Sequence, residues 1–84
     1  MVIDRFLYKG NVLSLDMNYE LNGFAVQFWV REGKREIMEE ILDKTDLRKE
    51  FPDIVNNRYT RHLSHEEAIP FVAKVIDALK SLSC

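Results

Sequence analysis

The segment NNRYTRHLSHEE contains the side chains with the clearest potential for chemistry. Arg58, Tyr59, Arg61 and His62 lie close together there, ahead of its first acidic residue. Guanidinium groups beside an aromatic ring can bind a phosphate, a nucleic-acid base or an acidic protein surface. The alternative is a loop or edge strand whose arginines are solvated or pair with nearby acids, while Tyr59 anchors it to the core.

The two histidines are the candidate metal ligands. His62 and His65 are three residues apart and Glu66 follows directly, and imidazole and carboxylate groups are common zinc ligands. A helix start predicted at Ser64 would separate the two imidazole rings, and the chain has no third histidine. We therefore predict no metal site and no cofactor.

Nucleophilic chemistry and phosphate chemistry have little support in this sequence. The serines lack the strand-to-helix turn of a nucleophile elbow, and the single cysteine, Cys84, excludes an intrachain disulfide. Gly10, Gly23 and Gly33 are isolated and each fits a turn, so no phosphate-binding loop is indicated. We predict that the protein is not an enzyme and has no catalytic residue.

Trp29 is the second candidate for a functional role. The alternation in MNYELNGFAVQFWV directs it to the polar side of a predicted hairpin, together with Asp16 and Arg31. Leu7 joins this side in the preferred pairing of the first strand. A large aromatic residue on a polar sheet face is typical of an interface anchor. The alternative is that the C-terminal helix or the 52–63 loop covers Trp29.

The hairpin that positions Trp29 depends on one turn. Asn22 and Gly23 are typical of a two-residue hairpin turn with positive φ angles. This turn places Asp16 opposite Trp29 and makes the other surface of the hairpin almost wholly apolar. The predicted apolar pairs are Leu21 with Phe24, Tyr19 with Val26, Met17 with Phe28 and Leu15 with Val30.

An earlier strand completes a three-stranded antiparallel meander. A two-residue turn at 10–11 would point Phe6 inward, whereas a three-residue loop would point Leu7 inward instead. We favour the two-residue turn, because it sets Arg5 opposite Asp16 as an ion pair.

The spacing of apolar residues becomes helical after residue 33. An amphipathic helix is predicted from Ile37, Met38, Ile41 and Leu42. A short second helix closed by Pro52 is one possibility, and one bent helix is the other. Ser64 and Glu67 form a capping box that begins the last helix, in which Pro70 predicts a kink or a partly separate first turn.

These elements predict a single α+β domain over residues 1–84, in the order β-β-β-α-(α)-α. A three-stranded antiparallel meander, with a possible short fourth strand at 58–63, packs one face against two to three helices. The expected architecture is a two-layer sandwich.

Composition and charge limit the class of protein. The chain has 84 residues, of which 46% are hydrophobic and 31% charged, with a net charge of −2. These values are those of a soluble protein with one core, and the even charge disfavours a protein that coats nucleic acid. The sequence has no apolar run long enough for a membrane span and no signal-peptide pattern at its start, so we expect a cytoplasmic location.

We therefore expect a small non-catalytic protein-binding module: a regulator, inhibitor or adaptor of a larger complex, or a self-associating dimer. The predicted sheet-face surface consists of Trp29, Arg31, Asp16 and Leu7. A second, electrostatic surface consists of Arg58, Tyr59, Arg61 and His62. The alternative function is nucleic-acid binding through the loop 56–62, and neither a membrane nor a small-molecule substrate is implied.

Overall fold

The computed structural model describes residues 1–31 and 34–83, and within them the chain forms five strands and two α-helices. In chain order these are β1 (Val2–Tyr8), β2 (Asn11–Glu20), β3 (Gly23–Val30), α1 (Arg35–Lys44), β4 (Asp53–Val55), β5 (Arg58–Leu63) and α2 (His65–Lys80). Short 3₁₀ helices lie at Arg48–Glu50 and Ser81–Ser83. Gly33, for which the sequence suggests a turn, and Cys84 lie outside the described residues.

The strands form one antiparallel sheet in the order β1-β2-β3-β5-β4. Side chains of α1 and α2 pack on one face of this sheet, so the α+β class is confirmed. The sheet has two strands more than the predicted meander: β5 is the possible fourth strand at 58–63, and β4 was not predicted. The predicted short second helix is only the 3₁₀ turn at Arg48–Glu50.

The pairing of β2 with β3 differs from the predicted register by two residues. Ser14, not Asp16, lies opposite Trp29. The apolar pairs are Leu13 with Val30, Leu15 with Phe28, and Met17 with Val26. Because side chains alternate with a period of two, a shift of two residues leaves every side chain on its predicted face. The predicted register is wrong, and the predicted division into two faces is retained.

Gly23 is required by the close approach of β5 and is not a turn residue. It pairs with Glu20, which leaves Leu21 and Asn22 as the turn residues, and neither of these has a positive φ. Gly23 itself has a φ of 155°, and a Cβ atom there would overlap the carbonyl oxygen of Leu63. The glycine therefore allows β3 and β5 to approach closely where their pairing ends.

The pairing of β1 with β2 shows the same two-residue difference. Arg5 lies opposite Ser14, so the predicted ion pair with Asp16 does not form. The turn residues are Lys9 and Gly10, with φ angles of 48° and 77°, as a type I′ hairpin turn requires. The register also shifts near the start of β1, which indicates a β-bulge there.

A third hairpin connects β4 with β5. Val55 pairs with Arg58, so Asn56 and Asn57 form a two-residue turn. Their φ angles are 53° and 62°, a region that asparagine tolerates better than most residues. This turn makes 58–63 a paired strand instead of a connecting loop.

The two helices begin close to their predicted positions. In α2 the hydroxyl of Ser64 accepts a hydrogen bond from the Glu67 backbone N–H at 3.3 Å, and the Glu67 carboxylate accepts one from the Ser64 backbone N–H at 3.5 Å. The helix continues through Pro70 without a separate first turn. No helix among the described residues is long and apolar enough to cross a membrane.

The core lies between the sheet and the helices. Its largest fully buried side chains are Phe28, Leu13, Leu15, Val26 and Val30 from the sheet, Met38, Ile41 and Leu42 from α1, Leu47 from the following segment, and Val75 and Leu79 from α2. This single core fixes the orientation of the sheet, so the opposite face of the sheet is left without a helical layer.

Glu50 joins the helical layer to β5. Its carboxylate lies 3.0 Å from Lys74 Nζ and 3.5 Å from Arg61 Nη1. The hydrogen bond from Lys74 is the main cause that lowers the pKa of Glu50 below its ordinary value of 4.5. The stabilisation by this cluster is therefore present above pH 4.5 and is lost as the pH falls through the lower pKa of the folded state.

We expect Glu50→Gln to lower the free energy of unfolding by about 1 kcal/mol at neutral pH, because it weakens both ion pairs. The difference between wild type and variant should shrink as the pH falls below 4.5. Urea unfolding at pH 7 and at pH 3 measures both effects, with Glu36→Gln on the exposed surface of α1 as the matched control. A difference that does not change with pH would contradict the assignment.

Candidate functional site

The candidate site lies on the sheet face that the helices leave uncovered, called here the open face. One row of side chains crosses β1 to β3 as Arg5, Ser14 and Trp29 and continues with Arg58 and Val55 on β5 and β4. The next row is Val2, Asp16, Gln27, Thr60 and Asp53. Leu7 and Val12 lie opposite each other at one end of this face, and Asn18, Ala25 and His62 lie toward the other.

Trp29 occupies a half-buried position near the centre of the open face. The guanidinium carbon of Arg58 lies over its ring, 4.3 Å from the ring centroid, which is a cation–π geometry. The indole Nε1 is buried and has no hydrogen-bond partner in the part of the chain that the structure describes. The helices lie on the other face, so Trp29 is covered by Arg58 of β5 and not by the C-terminal helix.

Asp16 lies in the row beside Trp29 and is only 7% exposed. Its Oδ2 atom is 3.6 Å from Arg58 Nη1, while its Oδ1 atom is buried without a partner among the described residues. A buried carboxylate oxygen that makes no hydrogen bond costs about 1 to 3 kcal/mol. The open face thus contains a buried donor, the indole N–H, and a buried acceptor, Asp16 Oδ1, that make no hydrogen bond with the described residues.

Polar side chains beside Asp16 bond to one another along the sheet. Asn18 Nδ2 donates to Gln27 Oε1 at 3.3 Å, and Gln27 Nε2 donates to Thr60 Oγ1 at 3.3 Å. The Thr60 hydroxyl donates to the carbonyl oxygen of Arg58 at 3.1 Å. These bonds connect β2, β3 and β5 and hold the surface next to Trp29 in one arrangement.

A shallow pocket of about 360 Å³ adjoins Trp29 on the side away from Arg58. It is lined by Val2, Arg5, Val12, Ser14, Trp29 and Arg31. The valines and the indole form apolar walls, and Ser14 is almost completely buried. The pocket therefore combines apolar walls with two arginine side chains that are exposed to solvent.

The structure places the four residues of the predicted sheet-face surface on one face. Trp29 and Arg31 line the pocket, and Asp16 lies in the adjacent row. Leu7 is 71% exposed at the edge strand β1, opposite Val12. The predicted faces thus bring these side chains together, although the predicted cross-strand partners were wrong.

The predicted second surface does not form as one surface. Arg58, Tyr59, Arg61 and His62 alternate along β5, so Arg58 and His62 belong to the open face while Tyr59 and Arg61 point toward the helices. The grouping assumed a loop, in which neighbouring side chains can point the same way. A strand separates them because its side chains alternate.

The side chains of Tyr59 and Arg61 contact other residues of this chain on the helical side of the sheet. Tyr59 is buried opposite Phe28 in the core, as the anchoring interpretation predicts. Arg61 donates to the backbone carbonyl of Glu50 at 3.1 Å and lies 5.2 Å from the centroid of the Phe71 ring. These contacts keep both side chains away from the open face.

The two histidines also have separate surroundings. His62 Nδ1 lies 2.8 Å from Glu20 Oε1 on the open face, whereas the His65 ring contacts Tyr19 and Phe24 on the helical side, at 5.4 and 5.0 Å between centroids. In residues 1–31 and 34–83, no group of three or more His, Cys, Asp or Glu side chains could hold a metal ion.

The contact between Arg58 and Trp29 was missed because the two residues belong to different predicted surfaces. It requires β5 to pair with β3, which are separated in sequence by α1 and β4. A local signal for the strand was available, since Arg58, Thr60 and His62 are polar while Tyr59 and Leu63 are not. Read as a strand, this alternation separates Arg58 from Tyr59.

Comparison with known proteins adds no relative: no family model, no curated protein and no solved structure matches this chain. The class that the structure defines is a two-layer α+β domain with one uncovered sheet face.

Proposed function

We propose that this protein is a small non-catalytic protein-binding module that acts through the open face of its sheet. The observation that supports the proposal best is the pair Trp29 and Arg58, stacked on this face beside a buried oxygen of Asp16 that has no described partner. Tryptophan and arginine are enriched at the centres of protein interfaces.

Apolar side chains extend the open face around this centre. Leu7, Val2 and Val55 are exposed large apolar residues on it, at the two edge strands. These side chains flank Trp29 and Arg58 from the two opposite edges of the sheet. The centre with Trp29 and Arg58 would supply most of the affinity, and the valines and Leu7 would exclude water around it.

The size of the open face indicates a transient complex. Five strands about 4.8 Å apart span roughly 19 Å, and four rows of side chains about 6.8 Å apart along the strands span roughly 20 Å. The resulting face of roughly 400 Å² is below the approximately 800 Å² that each partner contributes to a stable interface. Reversible regulation, inhibition or bridging of a larger complex fits this area.

Nucleic-acid binding, the alternative, has less support. One face of the Trp29 ring is already covered by Arg58, which leaves less of it for stacking by a base. The carboxylate of Asp16 would repel a phosphate backbone, and Arg61 points to the other side of the sheet.

The proposal is tested with peptides selected from a displayed random library for binding to the intact chain. We expect Trp29→Ala and Leu7→Glu each to weaken binding of the selected peptides about thirtyfold, because both changes disrupt the open face. Leu21→Glu is the matched control, since Leu21 is 94% exposed in the β2–β3 turn. Isothermal titration gives the affinities, and sedimentation equilibrium of the wild type shows whether a second copy of the chain is the partner.

Circular dichroism of each variant distinguishes lost binding from lost folding. If Trp29→Ala unfolds the chain, Leu7→Glu still tests the open face, because its side chain is largely exposed. Peptides or self-association that are insensitive to Leu7→Glu but abolished by Leu21→Glu would place the binding surface elsewhere and overturn the proposal.

A further inference from the structure

We infer that the open face recognises an acidic segment of a protein partner, whose carboxylate groups bind at the pocket between Arg5 and Arg31. This inference rests on the proposed function and specifies the chemistry of the partner. It follows from three observations: two arginines without ion pairs among the described residues, the composition of the pocket, and the charges beside it.

Arg5 and Arg31 are cations without carboxylate partners in the described part of the chain, and both line the pocket. Arg48 and Arg61, in contrast, bond to acids of the same chain: Arg48 lies 2.6 Å from Glu39 Oε2, and Arg61 lies 3.5 Å from Glu50 Oε2. The chain carries an excess of acids, with a net charge of −2. Two arginines at one pocket, neither paired with a described carboxylate, therefore form a local positive site on an acidic protein.

The pocket suits a carboxylate on a short aliphatic stem. Arginine binds carboxylates through two parallel hydrogen bonds, which gives both affinity and orientation. Val2, Val12 and the Trp29 ring line the same pocket and could contact the methylene groups of a glutamate side chain. A volume of about 360 Å³ is within the range of small binding pockets and admits a side chain.

The charges beside the pocket favour a peptide over a phosphodiester chain. The protein has a net charge of −2, and the Asp16 carboxylate lies in the row next to Trp29. A phosphodiester backbone carries a negative charge at every link, whereas a peptide carries a carboxylate only where its sequence has an acidic side chain. A peptide can therefore place its carboxylates at the arginines and uncharged residues elsewhere.

The row that contains Arg5, Trp29 and Arg58 indicates how the segment would lie. Arg5 on β1 and Arg58 on β5 lie in this row on either side of Trp29 on β3. A segment that crosses the strands along this row would place an acidic side chain in the pocket between Arg5 and Arg31 and an apolar side chain near Trp29. The preferred ligand therefore has acidic residues next to an apolar residue.

The fluorescence of Trp29 measures binding, because Trp29 is the only tryptophan of the sequence. The probe is a capped peptide in which glutamates flank a central leucine on both sides, and the reference is the same peptide with glutamine in place of glutamate. We expect a saturable change of Trp29 emission with the glutamate peptide. The glutamine peptide should bind at least tenfold more weakly, and binding of the glutamate peptide should weaken as salt is raised.

The double variant Arg5→Ala with Arg31→Ala should weaken binding of the glutamate peptide about tenfold or more, because charge-assisted hydrogen bonds are lost. The matched control is Arg35→Ala with Lys49→Ala, which removes the same charge from exposed positions outside the pocket. Circular dichroism verifies that both double variants fold. The control should bind the glutamate peptide as the wild type does.

Three results would overturn the inference. They are equal binding of the glutamate and glutamine peptides, no effect of the Arg5 and Arg31 changes, and tighter binding of oligothymidylate than of the glutamate peptide at the same salt concentration. The inference can fail while the proposed function holds. Library peptides that need Leu7 and Trp29 but not Arg5 and Arg31 would refute the acidic partner and would support the open face as a binding surface.

Discussion

Gly23→Ala is expected to remove a large fraction of the stability of the fold. The new Cβ would overlap the Leu63 carbonyl oxygen on β5, and this obstacle is backbone that cannot rotate away. Overpacking costs about 1 to 3 kcal/mol, and a strained φ of 155° adds a similar amount. A domain of 84 residues has a total stability of about 4 to 13 kcal/mol, so the loss is a large fraction of it.

Gly10→Ala is the matched control for this prediction. Gly10 has a positive φ of 77°, but a Cβ there would meet nothing within 4 Å. We expect it to cost only about 1 to 2 kcal/mol, from the backbone conformation alone. Urea unfolding monitored by circular dichroism compares the two variants. Equal losses would show that the approach of β3 to β5 is not what requires Gly23.

Phe28→Ala is expected to lower the free energy of unfolding by about 3 to 5 kcal/mol. Phe28 is completely buried in β3, between Leu15 on β2 and Tyr59 on β5. Its ring centroid lies 6.1 Å from that of Phe51. Replacing the ring with a methyl group leaves a cavity that strands on both sides cannot fill without losing their pairing.

Phe24→Ala tests the same substitution on the same strand and the same face. Phe24 is only half-buried and contacts the rings of Tyr19 and His65 at 5.0 Å each. We expect a loss of about 1 to 2 kcal/mol, because the remaining space is open to water. Chemical unfolding gives both values. A Phe24→Ala effect as large as that of Phe28→Ala would contradict the position of the core.

Face assignments in the hairpins could be predicted, whereas the pairing of residues could not. Alternation assigns Leu15 and Phe28 to the core and Trp29 to the opposite face. A register error of an even number of residues leaves this assignment unchanged. The turn itself was misplaced because Asn22 and Gly23 match a local preference. Gly23 is needed instead for contact with Leu63, which is forty residues away in the sequence.

The candidate site was predictable only in the part that one hairpin builds. Trp29 and Asp16 belong to strands joined by a short turn, so local alternation places them on the same face. Arg58 reaches this face only because β5 inserts between β3 and β4 in the sheet. Such non-local pairing follows from the packing of the whole chain, and no local pattern specifies it.

The shape of the two sheet edges has a consequence for aggregation. The outer strand β4 has only three residues, and β1, the other outer strand, carries an irregularity near its start. Long regular edges invite added strands from other molecules, and short or bulged edges discourage fibre growth. This protein can therefore expose apolar side chains on the open face while its edge strands disfavour edge-to-edge polymerisation.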